Sequence, residues 1–434
     1  MIQEKKIKIS VAILADEPLG WGSGKHYFPV ILDNYTWKKD GVIYEFKTEY
    51  IHDKDILAGK LNTSTYQVLL APGGGVGDGH AVMKAFTFSR KVRKWKKKIK
   101  AFIKQGGGYV GICGGTALFT GLSTGKQPRF QTFLEKAYHK SSFHIGTVNS
   151  YYHHLAFPLL FPFQYNYPHH IGATGYVFSF APGETKQGTR LHTGGVPLDF
   201  TIDNSHPIFS DIGEKLVRMR WWGGPALDIL SSDQHAATPI AWYPTDDFST
   251  QNKTGIKAWR YTGGATGLIK ALFQAAFFIK KQEKSLKDLL MYTYFFAGDW
   301  EKTNHFLDLQ FNGKPAIAVE TYPNEKQAQI VLCTAHPEYM IWWDGHIEEV
   351  DGNQFHCLAY GLHQWRDIEL SKAKLIDQLT YTWWLVRRMT AWAAKISAGH
   401  LPPIEKEEKN EGIKTILNKN IFWDETIEDQ IQNI

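Results

Sequence analysis

The sequence predicts an α/β fold, a doubly wound and mostly parallel sheet that carries helical insertions and a C-terminal helix packed against it. Three observations carry this expectation. Short apolar runs end abruptly at glycine-rich turns, at Ala71-Pro72-Gly73-Gly74-Gly75 and around Gly111. A strongly patterned helix lies between two of those runs, and strand–helix–strand order calls for a parallel sheet with covering helices. Apolar residues make up 43% and charged residues 21% of the 434, which is ample for a large core and excludes a chain disordered throughout.

The elements follow in chain order. Ile7–Leu14 is a short apolar run bounded by Lys and Asp, the signature of a buried strand. Tyr66-Gln67-Val68-Leu69-Leu70 is a second, and Tyr109-Val110-Gly111-Ile112 a third. Between these two, Phe88, Val92, Trp95, Ile99 and Phe102 form one apolar helical stripe. Arg90, Lys91, Arg93, Lys94, Lys96, Lys97, Lys98 and Lys100 occupy the remaining surface and read as a solvated face. Gly106 supplies the helix stop. Residues 138–181 are crowded with His, Tyr, Phe and Pro, and a long helical pattern runs from about Gly267 to Phe296. Gln329–Leu332 is a further strand, and Ser371–Ser397 a helix ended by Leu401-Pro402-Pro403, since proline cannot continue the ladder.

Composition narrows the function. The formal charge of +6 is too small to imply nucleic acid. Cys113, Cys333 and Cys357 are too few for a disulfide framework and lack zinc-finger spacing, so a reducing, cytoplasmic compartment is expected. Ile9–Leu14 is too short for a secretory apolar segment. Gly267–Lys280 falls short of the roughly 18 apolar residues that span a membrane. His153-His154 and His169-His170 offer no compact ligand set, so neither a metal nor another cofactor is expected.

The sharpest feature is Gly111-Ile112-Cys113-Gly114-Gly115. Small residues two before and two after a nucleophile let the chain turn tightly from strand into helix and expose the side chain at the sheet's carboxyl edge. Thr116–Leu122 can continue as that helix, whose positive end favours a thiolate. A second feature is Cys333-Thr334-Ala335-His336-Pro337-Glu338. In extended backbone, positions two apart share a side, so Glu338 can orient His336, the base-plus-orienter arrangement that a cysteine nucleophile requires. The third is Gly73-Gly74-Gly75, where bare amides can approach an oxyanion.

Together these motifs resemble the class I glutamine amidotransferase-like superfamily. The likeness is strongest to the domain at the N-terminus of eukaryotic biotin–protein ligases and to stand-alone proteins of that type. Trp221-Trp222-Gly223-Gly224 and Thr238-Pro239-Ile240-Ala241-Trp242-Tyr243 are similar to segments of that group. The resemblance implies a flavodoxin-like sheet, with Cys113 as nucleophile, His336 as base and Glu338 as third member of a triad. It makes Gly74 and Gly114 the oxyanion donors, with Gly73, Gly75, Trp222 and Gly223 lining the substrate site. It further implies one domain over residues 1–400, with insertions at about 123–189 and 250–312; the remainder, 401–434, reads from its composition as a charged tail.

The expected activity is an amidase or hydrolase working through an acyl-enzyme on a small amide or peptide-like substrate. A glutaminase delivering ammonia to a separate synthetase ranks second, because Thr116-Ala117-Leu118-Phe119 stands where glutamine-using members carry a Gln. A non-catalytic module binding a ligand or protein is the alternative from another class. Expected partners are the substrate, with a synthetase or a second copy of the chain open, and neither nucleic acid nor membrane. The insertions are expected to set specificity.

Overall fold

Successive side chains of a strand point to opposite faces, and the buried residues of the central strands divide accordingly. Ile9, Val11 and Ile13 join one core cluster, while Ala12 and Leu14 join the other. Val68 and Leu70 oppose Leu69 and Ala71 in the same way, and Val331 and Cys333 oppose Ile330 and Leu332. Strands apolar on both faces must be covered on both, which is the physical content of a doubly wound sheet.

The structure is a computed structural model and describes residues 5–15, 24–33, 35–73, 90–123, 148–151, 163–164, 177–178, 191–192, 196–221, 226–229, 237–245, 257–281, 289, 293, 300–306, 313–338, 346–350, 362–366 and 382–404. Its main sheet has ten strands: β1 (Lys5–Leu14), β2 (Thr36–Lys39), β3 (Val42–Ile51), β4 (Val68–Ala71), β5 (Gly108–Ile112), β6 (Val196–Ile202), β7 (Leu216–Trp221), β8 (Thr238–Trp242), β9 (Pro315–Thr321) and β10 (Gln329–Cys333). Their spatial order is β7-β6-β8-β9-β10-β5-β4-β1-β3-β2. The run β10-β5-β4-β1-β3 is parallel at every pair. Antiparallel pairs extend both sides, and only β2, β6 and β9 oppose the common direction. The chain steps from β1 to β3 on one side, then returns past β1 to β4 and β5. That reversal opens a crevice at the carboxyl ends of the strands.

Helices α1 (Gly24–Asp33), α2 (Asp53–Ala58), α3 (Arg90–Lys104), α4 (Gly114–Phe119), α5 (Gly264–Lys281) and α6 (Trp383–Ala393) are the described α-helices. Tyr27 and Phe28 of α1 and Leu385, Val386 and Met389 of α6 cover one face; Ile56 of α2, Trp95, Ile99 and Phe102 of α3, and Leu118 and Phe119 of α4 cover the other. The α3 stripe is as expected at Trp95, Ile99 and Phe102, whereas Phe88 lies outside the described residues. Its lysine face is not uniformly solvated. Lys96 is buried, and burial together with the Lys100 charge lowers its ammonium to about 8.

Helix α6 occupies only the middle of the expected Ser371–Ser397 span among the described residues, and prolines do not end it. Lys395 turns left-handed at φ +65°, and the Ile396 N–H reaches back to the Ala391 carbonyl at 3.0 Å. This is a Schellman closure. Pro402 and Pro403 follow several residues later, after a short 3-10 turn at Ala398–His400.

Within the two expected insertions, the described residues include the strands Val148–Tyr151, Phe163–Gln164 and Val177–Phe178 in the first, and Lys257–Tyr261, α5 and Trp300–Phe306 in the second. Phe163–Gln164 pairs with Lys257–Tyr261, joining the two insertions in one small antiparallel sheet. No helix among the described residues is long and apolar enough to cross a membrane.

Candidate active site

Three adjacent parallel strands, β4, β5 and β10, deliver the candidate residues. β4 ends into Gly73, β5 into Cys113, and β10 into the segment carrying His336 and Glu338. Each follows the carboxyl end of its strand, so the sheet gathers residues far apart in sequence.

Cys113 occupies φ +48°, ψ −104° between β5 and α4. A non-glycine residue there is strained, and its neighbours hold it. The Cys113 N–H donates to the Cys333 carbonyl at 2.7 Å. The Thr116 hydroxyl lies 2.7 Å from the Gly111 carbonyl and 2.8 Å from that of Cys333, while the Tyr109 hydroxyl donates to Gly115 at 2.6 Å. The flanking glycines are required by close approach: a Cβ on Gly115 would lie 1.9 Å from the Ala71 oxygen, and one on Gly111 would meet Gly115 at 2.8 Å. The small-residue spacing around Cys113 therefore lets α4 pack directly on β4 and β5.

His336 is 1% exposed and Glu338 is fully buried, with Nδ1 and Oε1 2.7 Å apart. The expected extended tripeptide is instead a bridge followed by a turn. His336 pairs with Arg220, its N–H donating to the Arg220 carbonyl at 2.7 Å, and Pro337-Glu338 turns away. The side chains meet because the turn folds Glu338 back beneath the ring. Helix α6 secures this turn: the Thr382 hydroxyl donates to the Pro337 carbonyl at 2.5 Å, and the Trp383 indole N–H to the Glu338 carbonyl at 3.0 Å. On the near side, the hydroxyls of Tyr243 and Thr334 lie 2.8 Å apart.

Gly73 joins the two halves. A Cβ at this position would fall 2.5 Å from Cε1 of His336 and 3.1 Å from Cβ of Cys113, so glycine lets the chain pass this close to both side chains. Burial opposes a charged His336, but the Cys113 charge and then the Glu338 charge, with hydrogen bonds to both, outweigh it and raise the imidazolium to about 10. Cys333, by contrast, is fully buried and donates to the Ala335 carbonyl at 3.5 Å. Burial pushes its thiol far up, with further contributions from Glu338 and Cys113.

Cys113, His336, Glu338 and Gly73 thus converge. Gly114 begins α4, so its N–H is among those with no acceptor within the helix. Gly74, Gly75, Trp222 and Gly223 lie outside the described residues, as do Cys357 and the paired histidines. The sequence reading missed Thr116, Arg220, Tyr243, Thr382 and Trp383. A Trp-Trp pair opening a helix is a weak signal, since aromatics at such positions are ordinarily core. No His/Cys/Asp/Glu cluster fit for a metal occurs among the described residues.

No protein-family model matches the chain, and no curated protein matches it. Among solved structures it is similar to PurLQS from Thermotoga maritima, at 12% identity and TM-score 0.28 over 55% of this chain and 75% of that one. It is also similar to a putative GMP synthase subunit from Thermoplasma acidophilum, at 12% identity and TM-score 0.26, over 54% and 73% of the two chains.

Proposed function

We propose that the chain is a cysteine-dependent amidase that cleaves a small amide or peptide-like C–N bond through an acyl-enzyme. The observation that carries the reading is the buried His336–Glu338 pair, 2.7 Å apart, against Gly73 and the strained Cys113. Imidazolium beside thiolate is the ground state that cysteine nucleophiles use. The Cys113 Sγ attacks the carbonyl carbon and the C–S bond forms. Charge collects on the oxygen, for which the Gly114 N–H, and that of Gly74, the residue after Gly73 in the sequence, are the donors this reading assigns. His336 gives its proton to the leaving nitrogen as the C–N bond breaks. It then takes a proton from water, which attacks the thioester, and the C–S bond breaks to release the acid. Glu338 holds the ring's orientation and charge throughout.

The test is a panel of amides, peptides and glutamine offered to the wild-type chain and to Cys113→Ala. Turnover lost in the variant, with an acyl adduct on Cys113 by mass spectrometry, is the expected result. Glutamate release from glutamine would recast the amidase as a glutaminase supplying ammonia to a partner. No turnover and no adduct across the panel would leave a binding module and overturn the proposal.

A further inference from the structure

Helix α5 has two unlike faces. Ala271, Ala275 and Ile279 are buried, whereas on the opposite side Phe273 is 72% exposed, Phe277 71%, Ile269 55% and Leu272 38%. These residues recur at helical spacing and form one bare apolar stripe. Lys270 and Lys281 border it, Lys280 lies at its end, and the helix contains no Asp or Glu.

A second copy of α5 is a poor occupant. Self-pairing would set lysines against lysines with no carboxylate to offset them. The stripe also exposes on the order of 500 Å², counting 150–250 Å² for a fully buried aromatic, which is less than the roughly 800 Å² per partner of a stable complex. A small, basic, apolar face suits a tethered acidic segment, because linkage raises the effective concentration to about the millimolar range.

The chain carries such a segment. After Lys419 no basic residue occurs, and Trp423, Ile427, Ile431 and Ile434 fall at i, i+4, i+8 and i+11, one helical stripe bordered by Asp424 and Glu428, with Glu425 and Asp429 beyond. Residues 405–422 can extend to about 60 Å, more than twice the radius of gyration of about 22 Å for a chain of this length, which gives the segment a long reach over the surface. We infer that residues 421–434 dock in cis along the bare face of α5, with Trp423, Ile427 and Ile431 on Phe273 and Phe277 and the bordering carboxylates beside Lys270, Lys280 and Lys281. The contact covers the exposed side of the second insertion and does not depend on the chemistry proposed for Cys113.

Zero-length carbodiimide cross-linking of the full chain tests this, using a mixture of isotopically light and heavy protein. The expected result is cross-links between Lys270, Lys280 or Lys281 and the carboxylates of 421–434, confined to light–light and heavy–heavy pairs. They should fall at least tenfold in Ile427→Ser/Ile431→Ser, which keeps every carboxylate. Amide exchange of α5 should quicken at least tenfold in that variant and in Asp424→Lys/Glu428→Lys. Absent cross-links, cross-links unchanged by the serine pair, or mixed-isotope cross-links marking a second copy would each overturn the inference. So would phosphatidylserine vesicles that capture the wild-type chain through Phe273 and Phe277 while α5 exchanges alike in all variants.

Discussion

At Cys113 the backbone accepts a positive-φ conformation that costs about 1–3 kcal/mol, and the surrounding hydrogen bonds to Cys333, Gly111 and Gly115 hold it there. Cys113 is not exposed as the sequence leads one to expect, being 6% accessible, but its thiol, beside His336, should be the reactive one. Iodoacetamide near pH 7 is expected to label Cys113 at least tenfold faster than Cys333, whose burial keeps it a neutral thiol. His336→Asn should slow that labelling by about 10- to 100-fold; an unchanged rate would show that the ring does not activate the thiol. The raised His336 imidazolium also fixes the sign of a pH effect on stability. Its folded value, about 10, exceeds the ordinary 6.5, so the stabilisation is complete below about 6.5 and is lost as pH rises through about 10. Thermal melts between pH 7 and 10.5 should therefore fall more steeply for wild type than for His336→Asn. Gly73→Ala should be more damaging than its size suggests, because the new methyl meets the His336 ring at 2.5 Å. A loss of about 1–3 kcal/mol in urea melts, together with at least tenfold slower Cys113 labelling, is expected; a wild-type rate would show that the ring moves aside freely.

Among elements, the turn after β10 and the start of α6 form one unit. Two donors from Thr382 and Trp383 fix the carbonyls of Pro337 and Glu338, so the helix determines where the carboxylate lies. Trp383→Phe keeps an aromatic ring but removes the indole donor, leaving a buried carbonyl without it. The expected cost is about 1–3 kcal/mol, with Cys113 labelling slowed as the His336–Glu338 pair loosens; a stability loss with unchanged labelling would limit α6 to packing. The pairing of His336 with Glu338 was legible in their spacing, but its reason was not, because a turn and an extended strand can both bring positions two apart together. The β2–β3 hairpin was missed although its signal is plain: Asp40-Gly41 joins the strands, with φ +48° and +75°, and an Asp-Gly pair between strands marks a tight hairpin turn. Alternating Lys, Glu and Thr along β3 hid the strand from a search for apolar runs.

For the whole molecule, α6 binds distant parts of the chain to the sheet. Arg388 donates to the carbonyls of Ile208 at 2.8 Å and Pro402 at 2.7 Å, and also to Pro207, while Arg387 donates to Ile31 at 3.0 Å and lies 3.9 Å from the Tyr35 ring centroid. Charged residues on a helix that reads as apolar thus fasten segments far apart in the sequence. Leu385→Ala, at a fully buried position beside the central strands, should cost about 2–5 kcal/mol in urea unfolding, and a loss below about 1 kcal/mol would mean that α6 is peripheral to the core.

The sequence by itself determined the parallel centre of the sheet, because strands buried on both faces must be apolar at successive positions, as in Val11–Leu14 and Val68–Ala71. It also determined the turn at Cys113 in part, since Gly111 answers a steric demand from Gly115 four residues on, whereas the demand on Gly115 comes from Ala71 of the neighbouring strand. Tertiary structure decided what depends on contacts between distant segments. The order β10-β5-β4 brings Gly73 against His336, the bridge to Arg220 fixes the histidine backbone, and Trp383 holds Glu338. Local pattern encodes the period of an element and the shape of a turn; it carries no record of which element will lie beside it.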